Sequence, residues 1–162
     1  MRKITIVVAS SGKNLELAQM IKQQIDEQKF KTAIISLDEL ELPLYTVSNE
    51  GKGIPKNAMK LTDDLVRSDA LIILSPEYNG GVAPSLNNAI SWISRSNKDW
   101  RAAFNGKMTI IGTHSGSGGS HVLMAMRLQL SYVGANVLGK QILTNDNKEL
   151  NIDLLKSALN EL

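Results

Sequence analysis

Residues able to do chemistry gather in three short polar stretches of this chain, each rich in serine or glycine. They are Ser10-Ser11-Gly12-Lys13-Asn14, Ser75-Pro76-Glu77-Tyr78-Asn79-Gly80-Gly81 and His114-Ser115-Gly116-Ser117-Gly118-Gly119-Ser120. Each follows an apolar run and leads towards a helical pattern, whose first turn offers unpaired N–H groups and a partial positive charge. In the first stretch the hydroxyls of Ser10 and Ser11, the Asn14 side chain and the helix-head amides could bind a phosphate, with Gly12 allowing close backbone approach. Plain helix capping by Asn14 or Ser11 is the competing reading. In the second, Tyr78 offers a stacking surface and Gly80-Gly81 permits positive φ angles that turn amides towards a ligand. Ordering two glycines between Pro76 and Pro84 is entropically expensive for a mere connection, which favours the ligand reading. In the third, glycines and serines could form a nest of N–H groups aimed at a ring carbonyl. One anion plus one planar polar ring system would satisfy all three.

Other chemistries find little support. The first stretch is neither the GxGxxG fingerprint nor a P-loop, because Lys13 lacks the glycine spacing and the following Ser or Thr. The chain has no cysteine, so thiolates and disulfides drop out. Its two histidines, His114 and His121, do not make a metal site; an exposed or capping part suits His114 alone, and His121 reads as structural. Lys plus Arg total 18 against 16 Asp plus Glu, a net charge of +2, and the basic residues are scattered. That distribution gives no reason to expect nucleic acid. No apolar stretch is long enough to span a bilayer. The start Met1-Arg2-Lys3 before Ile4–Ala9 reads as a first core strand and not a signal peptide, so the expected setting is cytoplasmic.

The elements that must position these stretches alternate regularly. Residues 4–9 read as a strand buried on both faces. Leu15, Ala18, Ile21 and Ile25 then mark a helix. Residues 31–36 make a second strand, completing a right-handed βαβ unit. Residues 37–55 show no sustained period, and so long a connection is expected to be mobile or functional. Pro55 opens a helix to about Arg67, residues 70–74 form a third strand, and Leu86, Ala89, Ile90 and Ile93 mark the next helix. Residues 107–113 make a fourth strand. A helix from about His121 to Val133 is apolar over much of its girth, as if packed on more than one side. Residues 137–143 supply a fifth strand, and Ile152, Leu155, Ala158 and Leu159 a closing helix. Trp92 and Trp100 read as core or subunit-interface anchors. Five strands alternating with five helices describe an α/β fold, a doubly wound parallel sheet in one domain spanning 1–162. In such a sheet the three polar turns emerge at one edge, where ligands bind.

The run Ser-Pro-Glu-Tyr-Asn-Gly at 75–80, followed by Ser85-Leu86-Asn87-Asn88-Ala89-Ile90-Ser91-Trp92, resembles the signature of the NAD(P)H-dependent FMN reductases. The turn at 113–119, followed by a helix carrying Arg127 and Leu130, is similar to that family's second flavin loop. This resemblance implies a flavodoxin-like five-stranded sheet in the order 2-1-3-4-5 with helices on both faces. It implies bound FMN, with its phosphate at Ser10, Ser11 and Asn14. The ring system would lie along Pro76, Glu77, Tyr78, Asn79 and Gly80 and against His114, Ser115, Gly116, Gly118 and Gly119. It further implies NADPH or NADH as hydride donor, a small-molecule electron acceptor (quinone, azo compound, free flavin or metal oxyanion), ping-pong turnover, and a homodimer or homotetramer. The flavin does the chemistry, with His114 as a possible proton donor and no metal. Members carry a longer first loop with an arginine. Here that loop is contracted, Gly12 stands where a serine is expected, and Lys13 is only a point charge, so weaker or altered phosphate binding is expected. The rival reading is a flavodoxin-like electron carrier or a non-catalytic flavin-binding protein, and the near-neutral charge counts against an acidic carrier.

Overall fold

Apolar residues alternate between the two faces of each central strand, and that alternation builds two cores. The computed structural model describes residues 1–116 and 118–162. Strand β1 (Arg2–Val8) sends Ile4, Ile6 and Val8 to one face and Val7 to the other, and β3 (Ala70–Leu74) divides Ile72 and Leu74 from Leu71 and Ile73 in the same way. The first core is closed by Leu17, Ala18 and Ile21 of helix α1 (Lys13–Gln23) and by Leu155 and Ala158 of α6 (Ile152–Leu159). The second is closed by α3 (Lys56–Val66), α4 (Pro84–Ile93) and α5 (Ser120–Tyr132). Each fully buried Leu or Ile contributes about 1.5–3 kcal/mol from removal of apolar surface from water. Burial on both faces is what the unbroken runs at 4–8 and 70–74 require.

With β2 (Phe30–Ser36), β4 (Met108–His114) and β5 (Asn136–Val137), the strands form one sheet in the order β2-β1-β3-β4-β5, all neighbours parallel. The flavodoxin-like order is therefore present. The chain leaves β1 for one edge and returns through β3 on the other side, so the carboxyl ends of β1 and β3 flank a topological switch point.

The fifth strand is interrupted. Instead of running through 137–143, the edge position is shared by β5 and β6 (Ile142–Thr144), both paired with β4. Between them residues 138–141 leave the ladder, and Arg127 of α5 binds carbonyls where β5 ends. Its guanidinium donates to the Val137 carbonyl at 3.1 Å, the Leu138 carbonyl at 2.7 Å and Gln141 Oε1 at 3.2 Å. An edge strand has no outer neighbour, so an arginine can supply what the missing ladder would have supplied.

The connection over 37–55 is held against α4. It carries a 3₁₀ turn (Asp38–Leu40) and a short helix α2 (Val47–Glu50) capped by Thr46. Asn88 accepts from the Tyr45 amide at 2.7 Å and donates to the Pro43 carbonyl at 3.1 Å. One turn later Trp92, fully buried, donates its indole N–H to the same carbonyl at 2.7 Å and meets Tyr45 edge-on at 5.2 Å. Asn88 and Trp92 share a helix face at i, i+4 spacing, and the connection is their partner.

Helix α5 is packed on one side only within the chain. Val122, Leu123, Met126 and Leu130 are buried, whereas Met124, Leu128 and Tyr132 are 61%, 78% and 69% exposed. Among the described residues no helix is long and apolar enough to cross a membrane.

Candidate functional site

The turns after β1, β3 and β4 meet at the switch point and line one cleft of about 370 Å³. Its walls include Ser10, Ser11, Gly12, Lys13, Asn14, Pro76, Glu77, Tyr78, His114, Ser115 and Gly116, together with Asp38 from the turn after β2. Three polar stretches far apart in sequence thus share one wall. Asn79, Gly80, Gly118 and Gly119 lie in the same turns but do not line that cleft, and Ser117 lies outside the described residues.

The first turn is bare backbone. Gly12 occupies the N-cap of α1 and no side chain caps the helix, so neither Asn14 nor Ser11 plays that part. The N–H groups of Gly12, Lys13 and Asn14 carry no hydrogen bond among the described residues. They are the donors an anion at a helix head would use. The Ser11 N–H is engaged: Asp38 Oδ2 accepts it at 2.9 Å. The Lys13 ammonium points along its own helix to Glu16 at 3.0 Å.

The Asn14 side chain is buried, 2% exposed, and engaged on both polar atoms. Its Nδ2 donates to the His114 carbonyl at 3.0 Å, and its Oδ1 accepts from the His114 amide at 2.8 Å. It therefore clamps the first turn to the third, and the helix-head amides are left to meet an anion.

The second turn is a two-residue hairpin. Tyr78 and Gly81 exchange backbone bonds, each 3.0 Å, and positive φ falls on Asn79 (52°) and Gly80 (74°). Two consecutive left-handed residues make a type I′ turn, for which Asn-Gly is the preferred pair. The positive angles expected at Gly80-Gly81 are thus shifted back by one residue. The amides of Asn79 and Gly80 carry no hydrogen bond among the described residues. Tyr78 is 51% exposed beside them. Ser75, buried at the base of the loop, accepts from the Ala83 amide and donates to the Pro76 carbonyl, both at 3.0 Å. Ser85 donates to the Ala9 carbonyl at 2.5 Å and ties the head of α4 to the end of β1. The Glu77 carboxylate reaches the head of α5, accepting from the Val122 amide at 3.4 Å, where the helix dipole favours a negative charge.

The third turn ends at Gly119, buried with φ of 70°, where a Cβ would press into Leu143, Thr113 and Ser115. Only glycine suits both that backbone conformation and that space. At Gly116 a Cβ would meet nothing, so its backbone is bare. The His114 ring turns towards β6: Nδ1 lies 3.1 Å from Thr144 Oγ1 and Nε2 3.5 Å from Asp146 Oδ1. Both ring nitrogens thus face partners on that side. Ser75 and Ser85 stand in stretches that the sequence singles out, but their bonds to Pro76, Ala83 and Ala9 are not marked there, and no local signal marks Asp38. Among the described residues no group of acidic residues and histidines could hold a metal ion.

Bare amides at a helix head, a second pair at a tight turn and an aromatic wall fit a phosphorylated planar cofactor such as FMN, except that Asp38 sets a carboxylate at the phosphate end.

Comparison with known proteins bears on the family and the fold. Residues 2–149 match the family described as NADPH-dependent FMN reductase. A quinone reductase of Pseudomonas putida is 27% identical over 163 aligned positions, which cover 91% of this chain and 84% of that protein. A quinone reductase of Escherichia coli is 32% identical over 103 positions, 62% of this chain, and this chain spans only about half, 53%, of that relative's length. Among solved structures, a flavoenzyme NAD(P)H:(acceptor) oxidoreductase from Paracoccus denitrificans superposes with a TM-score of 0.73 at 20% identity, covering 86% of this chain and 76% of that one. That likeness speaks to the fold. The match over 2–149 is the broader result: this chain belongs to the NADPH-dependent FMN reductase family.

Proposed function

We propose that this chain is an FMN-dependent NAD(P)H oxidoreductase that passes reducing equivalents to a small acceptor. A quinone, azo compound, free flavin or metal oxyanion is of the right class, and quinone reductase is the name its relatives in Pseudomonas putida and Escherichia coli carry. One observation carries the reading: three turns at the switch point converge on one cleft and leave backbone amides unbonded there. Bound FMN would supply the redox chemistry, taking hydride from NADPH or NADH and passing electrons on.

The chain's own part is binding, orientation and electrostatics. The amides of Gly12, Lys13 and Asn14, with the hydroxyls of Ser10 and Ser11, would hold the phosphate. The amides of Asn79 and Gly80 would donate to the ring edge, with Tyr78 and Pro76 as its wall. The amides of Gly116, Gly118 and Gly119, but not that of Ser115, which donates to the Thr144 carbonyl, would stabilise negative charge, as preorganised amides do in an oxyanion hole. Glu77 and Asn14 hold these turns in place. His114, facing Thr144 and Asp146, is a positioning residue in this reading and not a proton donor to the acceptor.

The exposed Met124, Leu128 and Tyr132 of α5, beside Trp100 at 6.1 Å from Tyr132, form an apolar surface suited to a second copy of the chain. A homodimer or homotetramer, built from one domain over 1–162 and working in the cytoplasm, completes the proposal.

The test has two parts. Reconstitution with FMN gives a yellow protein, and steady-state oxidation of NADPH and NADH is compared across quinone, azo and free-flavin acceptors. Parallel double-reciprocal lines are expected for ping-pong turnover. A yellow protein that leaves NAD(P)H unoxidised in the presence of quinone would make the chain an electron carrier or flavin-binding protein instead.

A further inference from the structure

The phosphate end of the cleft already holds an anion of its own. The β1–β2 pairing continues one step past β2, with the Leu37 amide donating to the Val8 carbonyl at 2.9 Å, and buried Leu37 anchors that step. Asp38 follows at once and is thereby carried across the end of β1. Its Oδ2 accepts the Ser11 amide at 2.9 Å, a charge-assisted bond on a donor of the phosphate turn. The neighbouring charges do not offset it. Lys13 is turned to Glu16, and no arginine stands between Ser10 and Asn14.

Resting on the flavin reading above, we propose that Asp38 is a specificity-determining residue. It weakens the hold on a phosphate terminus and narrows the advantage of FMN over riboflavin, whose side chain ends in an uncharged hydroxyl. A phosphate dianion on the Gly12, Lys13 and Asn14 amides meets the Asp38 carboxylate on the adjacent Ser11 amide, whereas a hydroxyl can donate to that same carboxylate. FMN binding is then weak enough for the cofactor to exchange, and riboflavin is a competent occupant.

The test is a set of fluorescence titrations of the apo-protein with FMN and, separately, with riboflavin. Asp38→Asn keeps an oxygen acceptor for the Ser11 amide and removes only the charge. FMN affinity is expected to rise roughly tenfold in that variant, the effect of deleting one charge about 6 Å from a dianion in a water-like dielectric. Riboflavin affinity is expected to stay as it is, and the FMN gain to shrink at high salt. Should Asp38→Asn fold poorly, Asp38→Ser carries the same expectation. An unchanged FMN to riboflavin ratio, or equal loss of both flavins, would overturn the inference while leaving the flavin reading standing. Failure of every variant to bind either flavin would overturn both.

Discussion

Replacing Asn14 by alanine should damage the protein more than its position near the surface of a turn implies. The side chain is 2% exposed and its two polar atoms engage the amide and carbonyl of His114, one hundred residues away in the chain. Each such bond contributes about 0.5–1.5 kcal/mol net, and a buried group left without its partner forfeits about 1–3 kcal/mol. The site borders an open cleft, so water can recover part of that loss. A destabilisation of about 2–4 kcal/mol follows, or roughly 4–16 °C in Tm for a chain of this size. Asn14→Asp should be no milder. It keeps the bond from the His114 amide but sets a carboxylate oxygen against the His114 carbonyl, where Nδ2 now donates. Urea denaturation of both variants, with m unchanged, is the assay. FMN affinity should fall alongside stability, because the clamp sets the spacing between the first and third turns. A loss below about 0.5 kcal/mol for Asn14→Ala would show that the clamp is not a structural tie, and the positioning argument would fail with it.

Trp92→Phe removes the indole bond to the Pro43 carbonyl and leaves a void beside Tyr45. It should destabilise by about 2–3 kcal/mol and make residues 37–55 the first site of limited proteolysis. Gly119→Ala forces a Cβ into a left-handed position already filled by Leu143 and Thr113. A destabilisation of about 2–4 kcal/mol, read by thermal unfolding, combines backbone strain with overpacking. The Lys107 ammonium, held by the carbonyls of Val66 and Ser68, lies below the ordinary lysine value of 10.5, chiefly because burial disfavours its charge. A base with a lowered folded pKa destabilises while protonated, and that penalty fades as pH climbs towards 10.5. Stability of the wild type relative to Lys107→Met should therefore rise with pH in that alkaline window and be flat below it. Chemical denaturation at neutral and alkaline pH measures the difference.

Strands buried on both faces were legible because Ile and Val runs such as 4–8 and 70–74 have few other folds open to them. The three turns were legible for a related reason: a parallel sheet sends every strand end of that type to one edge. Contacts between side chains and distant backbone were not legible. Nothing local to Asn14 announces His114, and nothing local to Asp38 announces Ser11. The fifth strand misled because its ladder is replaced by Arg127 from another element. The connection over 37–55 lacks a period because its order comes from Asn88 and Trp92, which lie on α4. The Asn79-Gly80 turn is a different case. Asn-Gly is a strong hairpin signal, but the adjoining Gly80-Gly81 pair is as open to positive φ.

The proposed function requires that the cleft between the three turns bind a flavin that NAD(P)H can reduce. Anaerobic rapid mixing of the FMN-loaded protein with NADPH, and separately with NADH, reads that reduction. Loss of the visible flavin band on mixing, and its return when a quinone is added, is the result expected. A protein that binds no FMN, or whose bound FMN keeps its band with both nucleotides, would contradict the claim.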